Sequence, residues 1–212
     1  MTARDRILTA IRDSLGPRSP GPDAIAAKAA ALLVDPQATR PQLAATDLAE
    51  AFALKATALG TTIDHVARMA EVPAAVARYL SDHALPGVAV QPAAELAALD
   101  WQGIATHPGI APDEPAGLGL ARWGIAESGS LVVHSGPDNP ILLSFLPLHH
   151  IVVLEKATLL PYLEDYAARM AGAAQPRNAI LITGPSGTTD IEGSYVRGAH
   201  GPGFLHVLLV GS

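Results

Sequence analysis

Apolar residues recur at helical spacing from the start of the chain. Ile7, Leu8, Ile11 and Leu15 share one face of Thr2–Leu15, with Arg and Asp on the other. That pattern predicts an amphipathic helix, ended by Gly16-Pro17. From there to Pro41, Pro/Gly clusters flank an Ala-rich stretch, Ala24–Val34, the pattern of a mobile connection with room for one helix. A further helix is predicted from Thr46 to about Leu59, with Thr46 or Asp47 as N-cap and Gly60 as the stop. After Gly60 the rhythm changes to short apolar runs. Strands are predicted at Thr61–Val66, Gly87–Val90, Ser130–His134, His150–Leu154, Ala179–Thr183 and Leu205–Val210, with Arg122–Ala126 leading into a turn before the third of these. Helices are predicted over Ala74–Leu80, Ala93–Leu99 and Leu159–Met170.

Continuously apolar strands that alternate with helices indicate an α/β fold, with a mostly parallel sheet covered by helices on both faces. The expected division is an N-terminal helix and mobile connection over residues 1–45 and an α/β domain over 46–212. In such sheets ligands bind in the crevice beyond the carboxyl ends of the strands, so loops that follow strands are the first candidates for chemistry.

Composition narrows the chemistry. The chain has 212 residues, 49% of them hydrophobic, 16% charged and 4% aromatic, which suits Ala-rich helices on Val/Ile/Leu strands. Fourteen Lys and Arg against 20 Asp and Glu give a net charge of −6, and no basic run occurs. Nucleic acid and anionic membrane surfaces are therefore not expected partners. No cysteine is present, which excludes thiol catalysis, Cys-zinc sites and Cys-ligated iron–sulfur clusters. The charged start of the chain is unlike a signal peptide, and Ile141–Leu154 is too short and too interrupted to span a bilayer, so a cytoplasmic protein is expected.

Four segments could carry a site. In Gly184-Pro185-Ser186-Gly187-Thr188-Thr189-Asp190-Ile191-Glu192 a strand runs into glycines, hydroxyls and two carboxylates. Such a loop can cradle a carboxylate or phosphate, or it can be a turn in which Thr189 or Asp190 caps a following helix. It is neither a Walker A loop nor a dinucleotide fingerprint. His200, followed by Gly201-Pro202-Gly203, could donate to an anion or shuttle a proton, or be a surface residue of a turn. Glu127, ahead of Ser128 and Gly129, could be a base or nucleophile beside an anion-binding turn, or a solvated carboxylate at a strand junction. His149-His150 invites a metal reading, but successive strand positions face opposite ways and no HxxxH or HExxH spacing supports it. No metal site is assigned, and no cofactor is identified.

Gly124–Val132, Leu146–Val153, Gly184–Glu192 and His200–Val207, taken in order, resemble the motifs of the LUD family, and Arg4–Arg12 resembles the start of a member. The likeness is strong from about Trp123 onward and weak over Gly16–Leu120. It implies a fold like that of the sugar-phosphate isomerases and CoA transferases (the NagB/RpiA/CoA-transferase-like fold). It also implies a role in oxidation of L-lactate to pyruvate beside iron–sulfur partner proteins, with a small carboxylate or phosphate as ligand. A cysteine-free chain fits the cluster-free, accessory or regulatory member of that system. One departure stands out: many relatives carry Arg where this chain has Gly187, so Arg197 or His200 stands in for it, or the ligand has changed. Two other readings remain, an acyl- or phosphate-ester enzyme using Glu127 and an interaction module whose loops are only turns.

Overall fold

A computed structural model describes residues 2–15, 20–32, 34–35, 40–191 and 193–211. The predicted stop at Gly16-Pro17 and the site candidate Glu192 lie outside the described residues. The chain divides into two compact units, Met1–Pro41 and Gln42–Ser212.

The first unit holds helices α1 (Ala3–Ser14) and α2 (Pro22–Leu32). Thr2 and Asp5 form a capping box: the Thr2 hydroxyl accepts from the Asp5 N–H at 3.2 Å, and the Asp5 carboxylate accepts from the Thr2 N–H at 2.9 Å. Pro22 occupies the first position of α2, where its missing N–H costs nothing.

The second unit begins with α3 (Leu48–Ala58), whose N-cap is Asp47, accepting from the Glu50 N–H at 2.9 Å. It then builds a six-stranded sheet from β1 (Thr62–Val66), β2 (Val88–Val90), β3 (Thr106–His107), β4 (Ala116–Leu120), β7 (His149–Glu155) and β12 (Phe204–Val210). The order is β1-β12-β7-β4-β2-β3 and every pairing is parallel. Helices cover it on both sides. Ile151, Val153, Leu208 and Val210 meet α4 (Val72–Asp82) and α5 (Ala94–Ala97) on one face, while Val152, Leu154, Val207 and Leu209 meet α3 on the other. The mostly parallel, doubly covered α/β sheet is thus as the hydrophobic pattern predicts.

Three features differ from that pattern. No strand is predicted over Ala116–Leu120, yet it is a strand in the interior of the sheet. A Cβ added at Gly119 would lie 2.9 Å from Leu143 Cδ2, and one at Gly117 3.0 Å from Pro147 Cγ, so the glycines leave room for the 3-10 turn Ile141–Ser144 and Pro147 to close on the strand. The helix predicted over Leu159–Met170 starts later, as α6 (Leu163–Met170), because Leu159-Leu160 is a short strand, β8, paired with β5 (Trp123–Ile125). Finally β9 (Ala179–Ile182) is not in the parallel sheet. It pairs antiparallel with β6 (Ser130–His134) in a second, four-stranded sheet of order β8-β5-β6-β9. Its side chains are at most half-buried, so its apolar run does not signal burial on both faces.

The turn between β5 and β6 is locked against α3. Gly129 has φ +67°, and a Cβ there would sit 2.8 Å from Ala56 Cα. Gly129→Ala is therefore expected to destabilise the domain by roughly 2 kcal/mol or more, combining backbone strain with overpacking. Urea denaturation, read as a lower midpoint at unchanged slope, checks this.

Candidate functional site

After β9 the chain enters a hairpin, β10 (Gly187–Ile191) and β11 (Ser194–Arg197), and not the helix one reading of the loop anticipated. The hairpin returns beside the loop that precedes β12. There the Ser186 N–H donates to the Pro202 carbonyl at 2.8 Å, and the Gly198 N–H donates to the Ser186 carbonyl at 3.0 Å. Two segments separated by a hairpin are thereby stapled into one wall.

That wall, Thr183–Gly187 with His200–Pro202, closes a cavity of about 330 Å³. Its remaining lining comes from Ile180–Ile182, Ser144, Phe145, Leu205 and His150. His150 and Leu205 are the second residues of β7 and β12, so the cavity opens at the amino ends of these parallel strands. The carboxyl-end expectation is corrected on this point: the Gly184 loop does follow a strand, but that strand belongs to the antiparallel sheet.

Of the sequence candidates, Gly184, Pro185, Ser186, His200 and Gly201 line the cavity together. Asp190 stands 3.8 Å from His200 Nε2, with both side chains mostly in solvent, a pair of small energetic weight. Thr188 accepts from the Asp190 N–H at 3.4 Å, and Thr189 is exposed. Glu127 does not line the cavity. Its Oε1 accepts from the Leu163 N–H at 2.8 Å, which satisfies a free donor at the start of α6. Ser128 reaches the cavity indirectly, through a chain of hydroxyls: Ser128 Oγ to Ser130 Oγ at 2.7 Å, and Ser130 Oγ to Thr183 Oγ1 at 2.7 Å. At Gly187, any Cβ would run into the Tyr195 ring across the hairpin, so a long side chain enters only if Tyr195 moves. Arg197 does not take its place; its guanidinium lies 5.2 Å from the centre of the Phe204 ring, outside the cavity lining.

Two functional candidates escape the loop-based reading. One is Thr183. The other is His150, which is 1% exposed, lines the cavity and has no hydrogen-bond partner for Nδ1. Burial pushes its pKa down to about 4, so it is a neutral imidazole at pH 7. The strand alternation that separates His149 from His150 was the signal. His149 faces the other way, where its Nδ1 meets the Tyr79 hydroxyl at 2.9 Å and its ring stacks on Phe204 at 4.3 Å. On that side Tyr79 also stacks on His206, whose Nδ1 meets Thr62 Oγ1 at 2.8 Å and whose pKa burial lowers to about 4. Among the described residues, no group of three or more His, Asp or Glu is placed to hold a metal ion.

The LUD domain family matches residues 113–210. That span runs from the turn before β4 to the end of β12, and takes in all of the cavity's lining. The uncharacterized protein YkgG of Escherichia coli (strain K12) is 35% identical over 115 residues, which is 51% of this chain and 50% of that one. A lactate utilization protein C of Geobacillus sp. (strain WCH70) is 36% identical over 109 residues, 48% of this chain and 45% of that one. The chain thus spans half or less of the length of these curated relatives. The crystal structure of a DUF162 family protein from Deinococcus radiodurans shares the fold, with a TM-score of 0.58 and 23% identity, covering 77% of this chain and 96% of that one.

The two buried histidines make the second unit acid-sensitive. His150 and His206 bind a proton near pH 4 when folded and near pH 6.5 when unfolded. Between those values the unfolded state holds more protons. Stability is therefore full above about pH 6.5 and falls as pH drops towards 4, by on the order of 3 kcal/mol for each histidine. Urea midpoints measured from pH 7 down to pH 4 check the profile, and a flat one contradicts it. Glu127→Ala is expected to cost about 1 kcal/mol through the lost cap of α6, measured the same way at pH 7.

Proposed function

We propose that this protein serves lactate utilisation as a component without an iron–sulfur cluster, binding a small carboxylate or an organic phosphate in the cavity between the Gly184 and His200 loops. The observation that carries the reading is the convergence of those two loops over His150. The relatives named lactate utilization protein C supply the metabolic context. With no cysteine, the chain cannot hold a Cys-ligated cluster, so electrons taken from lactate pass to a partner, for which a cysteine-rich iron–sulfur protein is the natural choice. No described helix is long and apolar enough to cross a membrane.

The chemistry of the site fits binding more than covalent catalysis. Ser186 and Thr183 offer hydroxyls that donate or accept, and His200 offers an imidazole whose ring nitrogens donate or accept. Glu127, the carboxylate considered as a nucleophile, is engaged at the start of α6, which weighs against an ester-transfer enzyme built on it.

Calorimetry of the purified protein with lactate, pyruvate and glycerol 3-phosphate tests the reading. At least one of them is expected to bind, and His200→Ala or Ser186→Ala to weaken that binding by about tenfold, the worth of one charge-assisted hydrogen bond. No binding by any of the three, together with no co-purification of a cluster-bearing partner, disposes of the proposal.

A further inference from the structure

The cavity runs along the open edge of a strand. Ile180, Leu181 and Ile182 of β9 all line it, although successive strand residues point to opposite faces. Three such neighbours border one space only where that space lies beside the strand's edge, main chain included. β9 is an edge of this kind. It closes the order β8-β5-β6-β9 and, among the described residues, pairs with β6 alone.

The alternation of the ladder fixes which groups that edge presents. The Ser135 N–H donates to the Asn178 carbonyl at 2.9 Å, so these opposed residues are a hydrogen-bonded pair. Further along the ladder, Val133 with Ile180 and Leu131 with Ile182 repeat that pairing. Ala179 and Leu181 therefore turn their N–H and C=O groups away from β6. Leu181 presents its pair to the cavity.

The other edges of the two larger sheets are blunted. β1 carries Asp64 and His65, and β3 and β8 are each two residues long. β9 is Ala-Ile-Leu-Ile, with no charge or proline, and its Leu181 is 42% exposed. An apolar strand with free main-chain groups is complementary to another extended backbone, whose own groups recur at the same two-residue step. Beyond Ile182 the slot reaches the Gly184 loop, where Ser186 and His200 stand.

Resting on the reading of this cavity as a carboxylate site, we infer that the carboxylate it takes is the C-terminus of a partner polypeptide with an aliphatic tail. The last residues of that chain add to β9 as a further strand. They run parallel to β9, because β9 itself runs towards the Gly184 loop. Leu181 exchanges main-chain hydrogen bonds with the tail, and the terminal carboxylate meets Ser186 and His200. Phe145, Ile180, Ile182 and Leu205 receive its side chains.

The test is calorimetry on the whole chain at pH 7 with N-acetyl-trivaline, its C-terminal amide, its analogue with every amide nitrogen methylated, and lactate. The free acid is expected to bind at least about tenfold tighter than lactate, from added apolar burial and main-chain pairing. Amidation and N-methylation should each cost about tenfold, the worth of the hydrogen bonds they remove. Leu181→Pro deletes the outward N–H without breaking the ladder to β6, at an edge position where a strand accepts proline. It should weaken the free acid about tenfold and leave lactate unaffected. If that variant does not fold, the methylated peptide decides. Lactate binding with no gain from the peptide overturns this inference and leaves the carboxylate site standing. A peptide indifferent to methylation or to amidation overturns it as well. No binding by any compound overturns the inference and the carboxylate site together.

Discussion

β7 and β12 lie side by side in parallel register, seven residues each, from Phe204 opposite His149 to Val210 opposite Glu155. Nearly every side chain along the pair is out of water: Ile151, Val152, Leu154, Val207, Leu208 and Leu209 have no exposed surface. Each such aliphatic side chain contributes roughly 2 kcal/mol of burial. Because the strands are covered on both faces, neither can slip by one residue without exchanging the α3 side for the α4 side. The pairing therefore fixes the direction of every polar residue that the strands carry into the interior.

Three histidines are carried in this way. His149 and His206 go to the α4 side, where the Tyr79 hydroxyl satisfies Nδ1 of His149 and the Thr62 hydroxyl Nδ1 of His206. His150 goes to the other side and finds no partner for Nδ1. A buried polar atom without a partner is uncommon and costly in a folded protein. The side chain that carries it lines the cavity.

The cavity itself is a product of two sheets. The parallel sheet supplies its floor at the amino ends of β7 and β12, and the antiparallel sheet brings β9 and the hairpin over it. The rule for open parallel sheets does not apply to the loop it singled out. Gly184–Gly187 follows a strand, but the strand belongs to the covering layer. The same layer explains Glu127: its turn joins β5 to β6 and faces the start of α6, so the carboxylate finished as a helix cap.

How much of this was legible follows from how local each determinant is. The strands β7 and β12, the helices α1 and α3 with their caps, and the polar loops after Ile182 and before Phe204 were readable, because periodicity, capping residues and glycine placement act over a few neighbours. β4 was hidden, because Gly117 and Gly119 lower strand propensity and their purpose lies in the packing of Leu143 and Pro147. β9 was readable as a strand but not as a member of a second sheet, since an apolar run does not name its partner. The sequence by itself determined a doubly covered parallel sheet, the absence of thiol and thiolate chemistry, and which small polar segments could meet a ligand. Only the tertiary structure decided that the Gly184 and His200 loops share one wall, that Glu127 serves α6, and that His150 stands buried and unpaired beneath them. Those outcomes depend on contacts between residues far apart in the chain, and no local pattern encodes which distant surface a side chain will meet.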